Sequence, residues 1–304
     1  MHGRGSKAGA ALVSVASNSI LIVVKVVAGV LTGSIAILTE AVHSAVDLIA
    51  SLVALFSIRM AEEPADEGHP YGHEKAENVA AGAEGMLILI GAGIVAYEAI
   101  RRLGSGTELE NVGIGIAVIG GSALVNIVVS AYLSRSARRH DSPALEGDAA
   151  HLRADAWTSI AVLIGLILVQ ATGEAAFDSI AALLVAVAIV VSGLRLLSRS
   201  TRVLMDEALP PDELDRIESV IASARPPEMV GYHKLRGRRA GARRHLDMHV
   251  QFRTGTSLED AHDRAHALRD AIEAAIPNAE VLIHVEPEAS VKPSGEGASH
   301  LRHG

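Results

Sequence analysis

His43 and Asp47 stand four residues apart in Glu40-Ala41-Val42-His43-Ser44-Ala45-Val46-Asp47-Leu48, and the spacing returns as His151 and Asp155 in Ala150-His151-Leu152-Arg153-Ala154-Asp155-Ala156-Trp157. On an α-helix, residues four apart lie one above the other on the same face, so each stretch sets an imidazole beside a carboxylate. Two such helices facing each other offer two nitrogens and two oxygens. That donor set suits a tetrahedral divalent ion, zinc above all. The chain has no cysteine, which excludes disulfides and thiolate sites, so any metal is held by His, Asp and Glu.

The elements that carry these pairs are apolar. The 304 residues are 49% hydrophobic and 3% aromatic, with a mean hydropathy of +0.32. That excess over a soluble protein of this size marks an integral membrane protein. Six runs have the length of a bilayer span, near 9–31, 35–58, 79–103, 112–134, 145–170 and 176–198. The first is too long for a cleavable signal peptide. Lys and Arg gather at alternate connections: Arg4 and Lys7; Arg59 and Lys75; Arg135, Arg138 and Arg139; Arg195, Arg199 and Arg202. Arg101 and Arg102 stand alone on the other side. The positive-inside rule then puts both termini in the cytoplasm of a multi-pass protein of the inner membrane. Thr32-Gly33-Ser34 predicts a tight turn between the first two spans. Gly82, Gly85, Gly91 and Gly93 in the third span, with Gly113, Gly115, Gly120 and Gly121 in the fourth, predict close helix packing in lipid. Lys25 reads as a buried counter-charge or a snorkelling side chain, and Asn18 and Asn126 read as helix-to-helix hydrogen bonds.

Ionisable residues at a helix centre cost about 2.5–3.5 kcal/mol each on insertion scales. The second span runs inward and the fifth outward, so His43 falls at the depth of Asp155 and Asp47 at that of His151. Plain interhelical hydrogen bonding is the alternative, but it does not require two matched pairs.

Beyond Arg202, Asp206-Glu207-Ala208-Leu209-Pro210-Pro211 reads as a junction. A 206–288 soluble domain then follows a 1–205 membrane domain, with 289–304 a disordered tail. Asp212 is expected to cap a helix that buries Leu214, Ile217, Val220 and Ile221. Two strands follow around a turn at Gly237–Gly241; in the second, Leu246, Met248, Val250 and Phe252 alternate with polar residues. A helix carrying Ala261, Ala265, Leu268, Ile272 and Ile276 leads to a strand with Val281, Ile283 and Val285 on one face. The expected fold is a membrane all-α bundle of six transmembrane helices plus a cytoplasmic α+β domain, ferredoxin-like, in the order αββαβ. Arg236, Arg238, Arg239, Arg243 and Arg244 lack interleaved aromatics and suggest a solvated or headgroup-facing tip. With a net charge of -8, nothing supports nucleic-acid binding.

Taken together, Thr39 to Asp47, His69-Pro70-Tyr71-Gly72-His73-Glu74-Lys75-Ala76-Glu77, Asp148 to Asp155 and the αββαβ tail closely resemble the cation diffusion facilitator family, bacterial exporters that exchange zinc or related divalent ions for protons. The resemblance implies that His at position 43 accompanies zinc preference, and Asp there a broader choice including cadmium. Asp66, His69 and His73 read from the residues alone equally as a solvated acidic loop. The resemblance implies a secondary site that captures ions near the cytoplasmic mouth. It likewise implies a binuclear site from His233, His249, His262, His284 and Glu286 in a dimeric cytoplasmic domain, with metal stabilising the homodimer. Glu286 departs from the family's usual Asp, and its extra methylene alters the geometry for bridging two ions. Lys75 and Asp206 match a family salt bridge.

The mechanism these residues imply is alternating access around His43, Asp47, His151 and Asp155. Imidazole and carboxylate bind metal only when deprotonated, so Zn2+ and protons compete for the same groups. Three other readings remain open. The chain can be an exporter of wider range, taking cadmium, iron, manganese or cobalt, or a non-transporting membrane metal sensor or scaffold. An intramembrane metalloenzyme is disfavoured, because no His-Glu-x-x-His occurs and four protein ligands leave no open coordination position.

Overall fold

The computed structural model describes residues 4–32, 35–105, 112–172 and 176–288. The chain divides into two compact units, Met1–Leu204 and Met205–Gly304. The first contains six long helices: α1 (Arg4–Thr32), α2 (Ile35–Ala61), α3 (Ala76–Ser105), α4 (Val112–His140), α5 (Pro143–Thr172) and α6 (Ala176–Leu204). Gly33 and Ser34 of the expected first turn, and the 289–304 tail, lie outside the described residues.

Among the described residues, α1, α2, α3, α4 and α6 contain stretches long and apolar enough to cross a membrane. The first half of α5 carries Glu146, Asp148, His151, Arg153 and Asp155. Its polar residues are accommodated by packing. Ala144, Leu145, Ala149 and Leu152 join Ala54, Leu55 and Ile58 of α2 and Leu133 of α4 in one buried cluster. On the other side Ala150 meets Ala81, Ile88 and Ala92 of α3 and Ile189 and Leu196 of α6. Exposed aliphatics such as Ile20, Val23, Ile94, Leu124, Leu184 and Val187 cover the outside, as expected of a surface facing lipid.

Local signals explain how α5 is set. Ser142 Oγ accepts the Leu145 N–H at 3.4 Å, and Pro143 opens the helix where its missing N–H is harmless. Ser142 also donates to Glu77 of α3, whose other oxygen accepts from Lys7 of α1 at 2.8 Å. Three helices are thus tied together at one end.

Close packing falls on other glycines than composition suggests. Among those expected, Gly85 of α3 is tightly placed; a Cβ there would meet Leu197 N of α6 at 3.1 Å and Gly193 O at 3.2 Å. Gly91, Gly93 and Gly121 would meet nothing within 4 Å, and Gly82 and Gly120 make only ordinary contacts. The side-chain surroundings of Gly113 and Gly115 lie outside the described residues. Gly147 and Gly193, by contrast, are tight. A Cβ on Gly147 would lie 3.2 Å from Ala81 Cα, and one on Gly193 3.0 Å from Leu89 Cγ.

The second unit has the order α7 (Pro211–Ala224), β1 (Met229–Ala240), β2 (Arg243–Phe252), α8 (Leu258–Ala275), β3 (Ala279–Pro287), the αββαβ order of a ferredoxin-like domain. The sheet runs β1-β2-β3, with β1 antiparallel to β2 and β2 parallel to β3. A parallel return needs a crossover, and α8 supplies it. Ser257 caps α8 by accepting the Asp260 N–H at 3.0 Å. One face of the sheet, with Met248, Val250 and Phe252, packs on Ile217, Ile221, Leu268 and Ile272. Each such side chain, fully buried, contributes about 1.5–3 kcal/mol.

Three expectations here need correction. Helix α7 begins at Pro211, with Pro210 at the cap and no side-chain capping bond, so Asp212 lies in the first turn instead of capping it. The hairpin turns at Gly241 and Ala242, Gly241 having φ +54, while Gly237 lies within β1. A side chain at 237 would collide with Leu209 and Leu246, so this glycine serves packing. The arginines around the hairpin are paired, Arg236 with Asp247, Arg238 with Asp206, Arg239 and Arg244 with Glu213, and Arg243 with Glu280; Arg236 and Arg243 are exposed as expected of a solvated tip, whereas Arg244 is buried.

Candidate metal centre

Helices α2 and α5 meet at Asp47, His151 and Asp155, and one ligand atom from each lies within 4.8 Å of the others. His151 Nε2 is 3.3 Å from Asp47 Oδ1 and 3.7 Å from Asp155 Oδ2. Asp47 and His151 are buried, at 4% and 6% relative exposure, and Asp155 is half-buried. His43 is one turn before Asp47 on α2; its side chain lies outside the described residues.

Two further acids back this cluster. Glu84 of α3 is 1% exposed, with Oε2 3.9 Å from His151 Nδ1, and Asp148 of α5 is fully buried. Asp148 Oδ1 accepts from Ser51 of α2 at 3.1 Å. Both oxygens of Glu84, Asp148 Oδ2 and His151 Nδ1 are buried without a hydrogen bond. Glu84 is not among the residues singled out in the sequence, although a signal exists: it is the lone acid between Glu77 and Glu98 in an apolar helix.

Around these acids runs a polar network. Asn18 of α1 donates to Ser51 Oγ at 2.7 Å and to the Asp47 carbonyl at 3.3 Å, and Ser14 and Ser51 share a bond of 2.9 Å. Asn18 is therefore a helix-to-helix bond as expected. Asn126 is buried, and its Oδ1 has no hydrogen-bond partner. Lys25 does not snorkel. It is 4% exposed and donates to Ser44 Oγ of α2 at 2.8 Å.

The loop between α2 and α3 brings Asp66, His69 and His73 together. The Asp66 carboxylate accepts the His69 backbone N–H at 2.6 Å, and this bond holds its carboxyl below the ordinary value. Asp66 lies 3.3 Å from His69 Nδ1 and 3.4 Å from the buried His73 Nε2. Gly72, with φ +88, allows the chain to double back between the two histidines.

In the second unit, strand register aligns the histidines. His233 pairs with His249 across β1 and β2, and His249 with His284 across β2 and β3. Adjacent rings are 5.1 and 4.6 Å apart. Glu286 reaches all three: His249 Nδ1 at 2.5 Å, His233 Nε2 at 3.4 Å and His284 Nε2 at 3.7 Å. His262 is elsewhere. It lies on α8, which packs on the apolar face of the sheet, and its ring centroid is 4.1 Å from that of His266, with the rings tilted by 44°. Within one chain the sheet cluster is thus His233, His249, His284 and Glu286.

Comparison with known proteins accounts for both units. Residues 11–205 match the cation efflux transmembrane domain and residues 209–288 the cytoplasmic domain of cation efflux proteins. The cation-efflux pump FieF of Serratia proteamaculans is 36% identical over 286 residues, 94% of each chain. The uncharacterized transporter sll1263 of Synechocystis is 34% identical over 257 residues, 84% of this chain and 83% of that one. A solved structure of CzrB in its zinc form is 38% identical, with a TM-score of 0.27, covering 29% of this chain and 98% of that one. Two domain matches that together span both units, and relatives aligned over nearly the full length, place the chain in the cation diffusion facilitator family of multi-pass membrane cation-efflux transporters.

Proposed function

We propose that the chain exports Zn2+ in exchange for protons, by alternating access around His43, Asp47, His151 and Asp155. The carrying observation is the buried meeting of Asp47, His151 and Asp155 inside the helix bundle. Two carboxylates neutralise a divalent cation, and an imidazole nitrogen favours zinc over harder ions. Because protons and metal compete for the same atoms, a site facing the cytoplasm releases protons to arriving zinc, and one facing outward releases zinc to returning protons. Both termini lie in the cytoplasm of a bacterial inner membrane on this reading.

The loop cluster of Asp66, His69 and His73 gathers ions at the cytoplasmic mouth. The sheet cluster, His233, His249, His284 and Glu286, binds zinc as a regulatory ion and stabilises a homodimer, with His262 joining from outside the cluster of its own chain. The test is zinc uptake into liposomes holding the purified full-length chain, read with an internal zinc-sensitive dye. Uptake should rise with an imposed pH gradient and collapse when a protonophore dissipates it. Uptake indifferent to the gradient would overturn proton exchange; faster uptake of cadmium or manganese than of zinc would overturn zinc preference.

A further inference from the structure

We infer that Glu84 is a positioning residue for His151: it accepts the Nδ1 proton and so presents the Nε2 lone pair to the transported ion. This rests on the proposed membrane site and adds a residue to it.

His151 Nε2 faces Asp47 and Asp155, at 3.3 and 3.7 Å. For Nε2 to bind an ion, a neutral ring must carry its proton on Nδ1, and a metal-binding imidazole almost always donates that second N–H to an oxygen. On the Nδ1 side stands Glu84 Oε2, at 3.9 Å. Neither Nδ1 nor either Glu84 oxygen has a hydrogen-bond partner, and all three atoms are buried. The gap exceeds a hydrogen bond by about 1 Å, a distance that rotation of the Glu84 side chain is required to close.

Helix packing keeps a lane open for this side chain. Gly147 is one turn before His151 on α5, and a Cβ there would lie 3.0 Å from Glu84 Cγ and 3.1 Å from its Cβ. With hydrogen in that place, Glu84 lies across α5 toward the ring. Its nearest approach to the ring is at Nδ1, the nitrogen that Asp47 and Asp155 do not face. Glu84 therefore orients a ligand without being one.

The test compares Glu84→Gln, which keeps an accepting oxygen without charge, with Glu84→Leu, which removes it. In the full-length protein reconstituted in liposomes, Leu should raise the KM for zinc uptake by about 10–100-fold with kcat little changed, and Gln should stay close to wild type. The second readout needs no metal. Nitrogen-15 NMR of histidine-labelled protein, with the His151 signals assigned by their loss in His151→Asn, should show neutral His151 protonated at Nδ1 in wild type and Gln but at both positions in exchange in Leu.

Equal losses in Gln and Leu would overturn the inference by making Glu84 a ligand or a charge. Unchanged KM in both would make it packing. If Leu fails to fold, an Nε2-protonated His151 in the metal-free wild type overturns it alone. Failure of the membrane-site reading is distinct, since it appears as zinc transport retained in Asp155→Asn.

Discussion

The membrane cluster and the sheet cluster use the same chemistry in opposite settings. Around Asp47, His151 and Asp155, side chains are largely buried, and polar atoms of Glu84, Asp148 and His151 have no hydrogen bond. A buried group left so costs about 1–3 kcal/mol. Around His249, Glu286 and the rings of His233 and His249 are half-buried and His284 is exposed, and Glu286 lies 2.5 Å from His249 Nδ1. The contrast separates a site whose side chains are underused until an ion or protons arrive from one that is comfortable in either state. The first befits a cargo site, the second a site that responds to metal concentration.

The harshest test of this contrast is Asp155→Asn. Losing one of two carboxylates in a buried site should reduce zinc uptake to the level of protein-free vesicles while the purified protein stays folded by circular dichroism. Wild-type uptake would sink the assignment.

Within the second unit, the two sides of the sheet should behave unlike each other. Ile272→Ala opens the core and should destabilise the domain by about 2–5 kcal/mol, measured by urea unfolding of the full chain with a probe in this unit. His249→Ala with His284→Ala, on the other face, should cost under about 1 kcal/mol. The same double variant should retain basal uptake but lose several-fold activation by zinc, because metal that prefers the closed dimer can no longer shift it. Distances between spin labels on two copies, followed as zinc is titrated, read this directly; tightening at the wild-type zinc concentration would make these histidines bystanders.

A subtler change is His43→Asp. It exchanges a nitrogen donor for oxygen beside Asp47, and the cadmium-to-zinc uptake ratio should rise several-fold. An unchanged ratio would remove His43 from selectivity. The smallest effect concerns Asp66. Its carboxyl is held below the ordinary value by the His69 N–H, so its contribution to loop order is complete above the unfolded value and is lost only as pH falls through the lower folded one. The His69 amide shift should therefore titrate at a lower pH than a free Asp, and Asp66→Asn should erase the transition.

Much of this was readable because it is periodic. The His-x-x-x-Asp pairs, the apolar spans and the alternation of Leu246, Met248, Val250 and Phe252 all follow from helix or strand repeat. What escaped depends on which faces meet. Glu84 matters because α3 turns it toward His151, and Gly147 matters because Glu84 lies over it. Gly91 and Gly93 look like packing residues by composition, but they fall on open faces. The partners of the hairpin arginines, Asp206, Glu213, Asp247 and Glu280, likewise show only once the elements are brought together.

The glycine contacts along α3 have a mechanical consequence. At Gly85 it is pressed on α6, and at Ala81 it is pressed on Gly147 of α5. Sliding α3 lengthwise would drive backbone into side chains on both flanks, whereas tilting the three helices together disturbs neither seam. They act as a splint. Of the proposed ligands, His151 and Asp155 ride on that splint, while His43 and Asp47 ride on α2 outside it. On the proposed mechanism, a hinge line between the two would pass through the ligand set itself, so rocking one against the other would act directly on the bonds to the ion.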